Sequence, residues 1–290
     1  MQVDILDNSI STLGEGPLYN DKQNAIFWCD IKNNCIYSHN LITKQKNRYS
    51  FISQVGSFAF CEDDKQMIVG TKDGIVYYDF LTQKTTPLIH PESHLPSNRL
   101  NDGKCDAKGR FFVGSMDDAE KDTVGSLYVY DGKECKQLEQ NLAISNGLGW
   151  SSDNKKFYLT DSPNRIIYSY DYDLETATLS NRQEFAKIRA QDGYPDGLCV
   201  DSEDHIWSAH WNGWKITRYT PNGEIDSIYE LPVPKVTSCN FGGADNKTLF
   251  VTTANIDLDK ETLEKAPLSG SVFYLSLDIK GQMSNRFVVS

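Results

Sequence analysis

Glu15, Asp102, Asn146 and Asp196 each stand immediately before a glycine. Carboxylates and an amide oxygen brought to one place repel one another unless a cation lies among them. An all-oxygen set with no Cys or His suits a hard divalent ion such as Ca²⁺, Mg²⁺ or Mn²⁺. The two charges of Glu15 and Asp196 balance one such ion. The glycines allow tight backbone turns and leave room for an ion and a small molecule. Taken singly, Asp-Gly and Asn-Gly are ordinary turn dipeptides. The chemistry follows only if the fold brings these positions together.

The elements that do so recur along the chain. Six strand pairs rich in aromatic and β-branched residues read AIFWCDI…CIYSHN, QMIVGTK…GIVYYDF, RFFVGSM…GSLYVYD, KFYLTDS…IIYSYDY, HIWSAHW…KITRYTP and TLFVTTA…SVFYLSL. Anchored on Phe27, Ile68, Phe112, Tyr158, Trp207 and Phe250, they step by 41, 44, 46, 49 and 43 residues. A period in the forties with four short strands per unit marks propeller blades. Six units account for residues 1–290 as one all-β, six-bladed propeller with four antiparallel strands per blade, in preference to two domains. KNN, KDG and DGK read as hairpin turns. QVDIL at the N-terminus is expected to pair with the last blade and close the ring. A short helix is expected only in LDKETLEKA, and loops at Ile89–Leu100, Asp117–Val124 and Asn255–Gly270 are expected to wall a pocket. The inner strands of a propeller converge around its channel, so Glu15, Asn146 and Asp196 should face one point on the axis. Asp102 or its neighbour Asn101 should lie close by.

The segments E-G-P (Glu15–Pro17), R-L-N-D-G (Arg99–Gly103), S-N-G (Ser145–Gly147) and Y-P-D-G (Tyr194–Gly197) resemble the gluconolactonase family. That family includes senescence marker protein (regucalcin) and the luciferin-regenerating enzyme. The likeness runs from about Leu13 to Asp278, and the later stretches look most like bacterial sugar lactonases such as xylonolactonases. The resemblance implies hydrolysis of an aldonolactone such as glucono- or xylonolactone. It implies one divalent metal (Ca, Mg, Mn, Zn or Fe) on Glu15, Asn146 and Asp196, with Asp196 also the general base. It implies Arg99 and Asn101 as contacts to the lactone hydroxyls. Asp117, Asp118 and Glu120 are unranked candidates for one further acid. Asp102 is a candidate partner for Arg99.

The rest of the sequence narrows the alternatives. The net charge of -11, a pI near 4.9 and no basic run make nucleic acid or an anionic membrane an unsuitable partner. No apolar stretch approaches the ~20 residues of a membrane span, and the N-terminus lacks the pattern of a secretion signal. The seven cysteines form no CxxC pair, which suits core-filling thiols in a reducing cytoplasm. GxSxG, HExxH, P-loop and GxGxxG motifs are absent. His90 and His94 read as solvated loop residues, His205 as a turn residue, and His210 as packed rather than pocket-lining. One of Trp207, Trp211 and Trp214 could stack on a sugar face. Two other classes compete: a regucalcin-like calcium-binding regulator without lactonase activity, and a propeller used as a protein-binding platform. Oligomeric state is open, and a monomer is compatible with the sequence.

Overall fold

The structure, a computed structural model, describes residues 2–289. It forms six four-stranded antiparallel sheets. Blade 1 takes Gly14–Asn20, Ala25–Asp30, Cys35–Asn40 and Lys46–Ser50, inside to outside. Blades 2 to 5 repeat that order from inner strands Val55–Phe60, Asn98–Cys105, Ser145–Trp150 and Tyr194–Val200. Blade 6 takes Val236–Gly242, Thr248–Thr253 and Val272–Ser276, and its outermost strand is Asp4–Asp7. The N-terminal segment therefore closes the ring as expected, with Ile5 opposite Phe273. Asp7 at its end is buried. Its carboxylate accepts from Lys46 Nζ at 2.9 Å and lies 2.8 Å from His39 Nδ1, both on blade 1. One short strand thus joins the first and last blades.

All six aromatic or aliphatic anchors are buried. Their second strands are apolar on both faces because each blade packs against two neighbours. Aromatic pairs stitch these seams: Phe27 to Phe60 at 5.0 Å, Phe112 to Trp150 at 5.0 Å, Trp207 to Phe241 at 5.5 Å and Tyr19 to Phe250 at 6.3 Å. Each such pair stabilises by about 0.5–1.5 kcal/mol beyond its area. The expected helix is Lys260–Lys265, capped by Asp259, whose side chain accepts from Thr262 N at 2.7 Å. All seven cysteines are free and no described helix is long and apolar enough to cross a membrane.

The inner strands carry a shared irregularity. In four blades two inner residues face one residue of the second strand. These pairs are Gly16–Pro17 opposite Trp28, Asn101–Asp102 opposite Gly114, Asn146–Gly147 opposite Thr160 and Asp196–Gly197 opposite Ala209. A bulge frees a residue from the ladder and re-aims its side chain. In blades 3, 4 and 5 the first residue so freed is Asn101, Asn146 and Asp196, whereas in blade 1 the bulge falls one residue after Glu15. The glycines are required at two of these places: a Cβ on Gly147 would lie 2.4 Å from Leu198 N, and one on Gly197 2.7 Å from Ser238 Cα.

The far end of the ring is spanned by residues 278–288. Arg286 Nη2 donates to Asp21 of blade 1 at 2.6 Å, and Phe287 N to Phe60 O of blade 2 at 2.8 Å. Asn285 Nδ2 reaches Cys105 O of blade 3 at 3.3 Å, and Gln282 Nε2 reaches Trp150 O of blade 4 at 3.2 Å. Ser202 N of blade 5 donates to Lys280 O at 2.9 Å, and Asn246 Nδ2 of blade 6 to Gly281 O at 2.6 Å. This strap touches every blade, and its Phe287 is fully buried.

Candidate metal and substrate site

Glu15, Asn146 and Asp196 line one cleft of about 440 Å³ at the mouth of the channel, together with Arg99 and Asn101. The five expected site residues therefore come together. All five are at least nine-tenths buried. Asn146 and Asp196 are the first residues of their bulges, and so is Asn101. Glu15 precedes its bulge by one position and reaches in on a longer side chain.

Asp102 corrects the repeat-based register. The D-G dipeptide aligns it with Asn146 and Asp196 in sequence, but the bulge aligns Asn101 with them instead. Asp102 takes the second bulge position, where blades 4 and 5 have glycine. It lines the channel beneath the cleft beside Lys104, Ser57 and Asn240. Nor does it pair with Arg99. The guanidinium is held by Asp118 instead, with Nε donating to Oδ1 at 3.1 Å.

The other candidate acids also separate. Asp117 caps its own loop, accepting from the amides of Ala119 and Lys121. Asp118 gathers Arg99, Lys32 at 3.1 Å and Lys72 at 3.5 Å. Burial alone would raise its carboxyl, but these three cations hold it below the usual value. Glu120 alone of the three lines the cleft. The Asp117–Val124 loop thus walls the pocket as expected, through residues 120–123, whereas the Ile89–Leu100 loop contributes only Arg99 and the Asn255–Gly270 loop no lining residue.

A chain of hydrogen bonds fixes the floor across three blades. Arg99 Nη1 donates to Asn101 Oδ1 at 2.5 Å, and Asn101 Nδ2 to Asn146 Oδ1 at 2.5 Å. Asn146 Nδ2 donates to Ser162 Oγ at 2.7 Å, and Ser162 Oγ to Pro195 O at 2.6 Å. Each amide is oriented by this chain. Asn146 Oδ1 keeps its second lone pair for another partner. Ser162 was invisible in the sequence reading. Its only signal is its place just past blade 4's second strand, at the end that faces the mouth.

The carboxylates lack what Asp118 has. Burial, then the charges of Asp196 and Asp102, push Glu15 well above its usual range. Burial, then Asp102, push Asp196 up in the same way, with Arg99 opposing. Burial raises Asp102 to about 6 against Lys104 and Arg99. Among the described residues none of the three acids takes part in an ion pair. Two buried acids and an oriented amide oxygen fit a hard divalent cation, whose charge would offset this repulsion.

A second acidic group does not fit one. Ligand atoms of Asp201, Glu203 and His205 lie within 4.8 Å of one another at the strap end of blade 5. Asp201 already accepts from Trp207 Nε1 and Arg218 Nε, each at 2.9 Å, and Arg218 also pairs with Glu203 at 2.7 Å. The guanidinium occupies the place a metal would take.

The histidines divide as packing predicts. His210 is buried outside the cleft, with Nδ1 donating to Asp192 O at 2.8 Å. Burial pulls its imidazole down to about 4, so it is neutral. His94 is exposed, whereas His90 is half-buried. Of the tryptophans, Trp211 lines the cleft, Trp207 is core and Trp214 is exposed.

Residues 13–255 match the family model described as the SMP-30/Gluconolactonase/LRE-like region. Regucalcin of Gallus gallus is 34% identical over 279 residues, covering 93% of this chain and 92% of that protein. The crystal structure of a calcium-binding protein, regucalcin, from Agrobacterium tumefaciens superposes with a TM-score of 0.95. It is 26% identical and covers 99% of this chain and 97% of that one. A luciferin-regenerating enzyme gives a TM-score of 0.93 at 28% identity, covering 99% of both chains.

Proposed function

The chain belongs to the SMP-30/gluconolactonase/LRE-like family, and we propose that it is a metal-dependent lactonase that opens an aldonolactone, such as glucono- or xylonolactone, to the aldonic acid. The observation that carries this reading is the convergence of Glu15, Asn146 and Asp196 in one buried cleft with Arg99 and Asn101 beside them. Glu15, Asn146 and Asp196 would hold one divalent ion. When bound, that ion supplies Lewis acidity to a ring carbonyl and makes water more acidic.

The protein's own residues do the rest. Asp196 accepts the proton of the attacking water, and the ring oxygen leaves as a hydroxyl when the acyl–oxygen bond breaks. Arg99, pinned at Nε and Nη1, keeps Nη2 for substrate oxygen. A fixed guanidinium presents its donors with little loss of freedom on binding. Asn101 sets the orientation of Asn146 and closes the floor under the ring. The seven free thiols favour a reducing, cytoplasmic setting for this activity.

The test is acid release from a panel of aldonolactones before and after chelation, with Ca²⁺, Mg²⁺, Mn²⁺, Zn²⁺ or Fe²⁺ added back. Hydrolysis should vanish on chelation, return with one ion, and fall about 10²–10⁴-fold in Asp196→Asn. A stoichiometric ion with no hydrolysis of any lactone would replace this reading with a calcium-binding regulator. The calcium-binding regucalcin from Agrobacterium tumefaciens makes that the second reading.

A further inference from the structure

Two aromatic side chains of blade 5 share one wall of the cleft. Tyr194 and Trp211 face each other across the inner strand pair, and both line the cavity. Directly opposed residues of an antiparallel pair project from the same face of the sheet. Tyr194 stands two residues before Asp196 on one strand, so the pair adjoins the proposed base. Each ring is held from behind by a cation. The Arg165 guanidinium comes from the blade 4 hairpin that also supplies Ser162, and it lies 3.7 Å from the Tyr194 ring centroid. It is itself tied to the carbonyls of Gly193 and Ala190. The Lys235 ammonium, just before the inner strand of blade 6, lies 4.4 Å from the Trp211 ring centroid and donates to Ile256 O at 2.5 Å. Neither cation lines the cleft. The ring quadrupole attracts a cation placed over its face, so each ring is fixed in place while its other side is left to the cleft.

The polar atoms of this pair are uncommitted. Among the described residues, Tyr194 Oη and Trp211 Nε1 make no hydrogen bond. The floor differs, because Asn101 Nδ2, Asn146 Nδ2 and Ser162 Oγ donate to acceptors within the protein. Residues 120–123 also bring polar atoms to the cleft, but all four are exposed, whereas Tyr194 and Trp211 are half-buried. A ring that is already immobile loses little freedom when a ligand lies against it. An aromatic body with a polar tip also matches a sugar, whose C–H bonds are apolar and whose hydroxyls need partners.

We infer that Tyr194 and Trp211 form the specificity-determining wall of the cleft: the C–H side of a hydroxylated lactone lies against Trp211, and Tyr194 Oη bonds to one of its hydroxyls. This rests on the lactonase reading and names the residues by which that site tells a sugar lactone from an unsubstituted one. The Tyr194 contact is a single neutral hydrogen bond, so losing it should weaken binding by about 2–10-fold.

The experiment compares glucono-δ-lactone with δ-valerolactone, which share ring size and differ in hydroxyls. Tyr194→Phe keeps the ring beside Arg165. It should raise KM for gluconolactone by about 2–10-fold with kcat nearly held, and leave δ-valerolactone unmoved. Trp211→Leu should raise KM for gluconolactone about tenfold, and Trp211→Phe, which keeps an aromatic face, should recover most of that loss. A second arm measures binding of glucono-δ-lactam, an amide that resists hydrolysis, by calorimetry in Ca²⁺. Weaker binding in both Tyr194→Phe and Trp211→Leu, recovered in Trp211→Phe, supports the wall. An unchanged lactam affinity in either of the first two variants, or no lactam binding by the wild type, overturns it. So does a Tyr194→Phe protein that loses δ-valerolactone to the same degree. If the wild type binds the lactam but opens no lactone, the lactonase reading falls, and the lactam arm still decides the wall.

Discussion

Two acidic clusters sit at opposite ends of this ring, and they solve the same problem differently. At the strap end, Asp201, Glu203 and Asp226 surround Arg218, which pairs with all three. At the mouth, Glu15 and Asp196, with Asp102 beneath them in the channel, are buried with no ion-pair partner among the described residues, and each is pushed toward protonation. The first cluster is complete as folded. The second holds negative charge that no described cation offsets. Counting carboxylates does not separate the two; counting the cations already among them does.

The comparison can be broken most strongly at Arg218. Replacing it with Met leaves Asp201 buried without its cation, which should cost about 3–5 kcal/mol of stability in denaturant unfolding. Titration should still find one divalent ion per chain. An extra ion bound at blade 5 in the variant would show that the two clusters are more alike than argued.

Blade 5 supplies a neutral case. His210 is held near 4 in the fold against about 6.5 in the unfolded chain. Its folded form is the uncharged one, so its contribution is present above pH 6.5 and is lost as the pH falls toward 4. The sum is about 3 kcal/mol across that window. Unfolding free energies from pH 8 to 4 should show this slope, and His210→Asn should flatten it. An unchanged slope in the variant would assign the acid sensitivity elsewhere.

Asp102 gives the smallest effect and the sharpest contrast. Asp102→Asn removes one unneutralised buried charge, so the metal-free protein should become more stable by about 1–3 kcal/mol. Divalent affinity should fall at the same time, because the charge that destabilises the empty site attracts the ion. Calorimetric titration and thermal unfolding in chelator measure the two changes. A variant that loses stability would mean that Asp102 is already paid for by Lys104.

Much of this was legible in the sequence because propeller blades repeat their aromatic spacing. The six anchors, the N-terminal strand of blade 6 and the helix at Lys260–Lys265 all followed from pattern. The convergence of Glu15, Asn146 and Asp196 followed from register. The slip between Asn101 and Asp102 shows where register stops: a bulge shifts the ladder by one residue without leaving a mark in the dipeptide. Asp118 was named but not ranked, because its three cations come from strands and loops far apart in sequence. The strap, by contrast, left no such mark in the sequence. It binds mostly through backbone groups and amide side chains, which carry no periodicity.

The strap also bears on how the protein is made. Residues 280–287 lie C-terminal to every blade they touch. During synthesis all six blades leave the ribosome before the segment that joins their lower ends. Blade 6 must also wait for its third strand before the N-terminal strand has an edge to pair with. The two fastenings therefore act late and in order, first the seam between blades 6 and 1, then the strap. A nascent chain stalled before residue 280 would carry every residue of the site on a ring still open underneath.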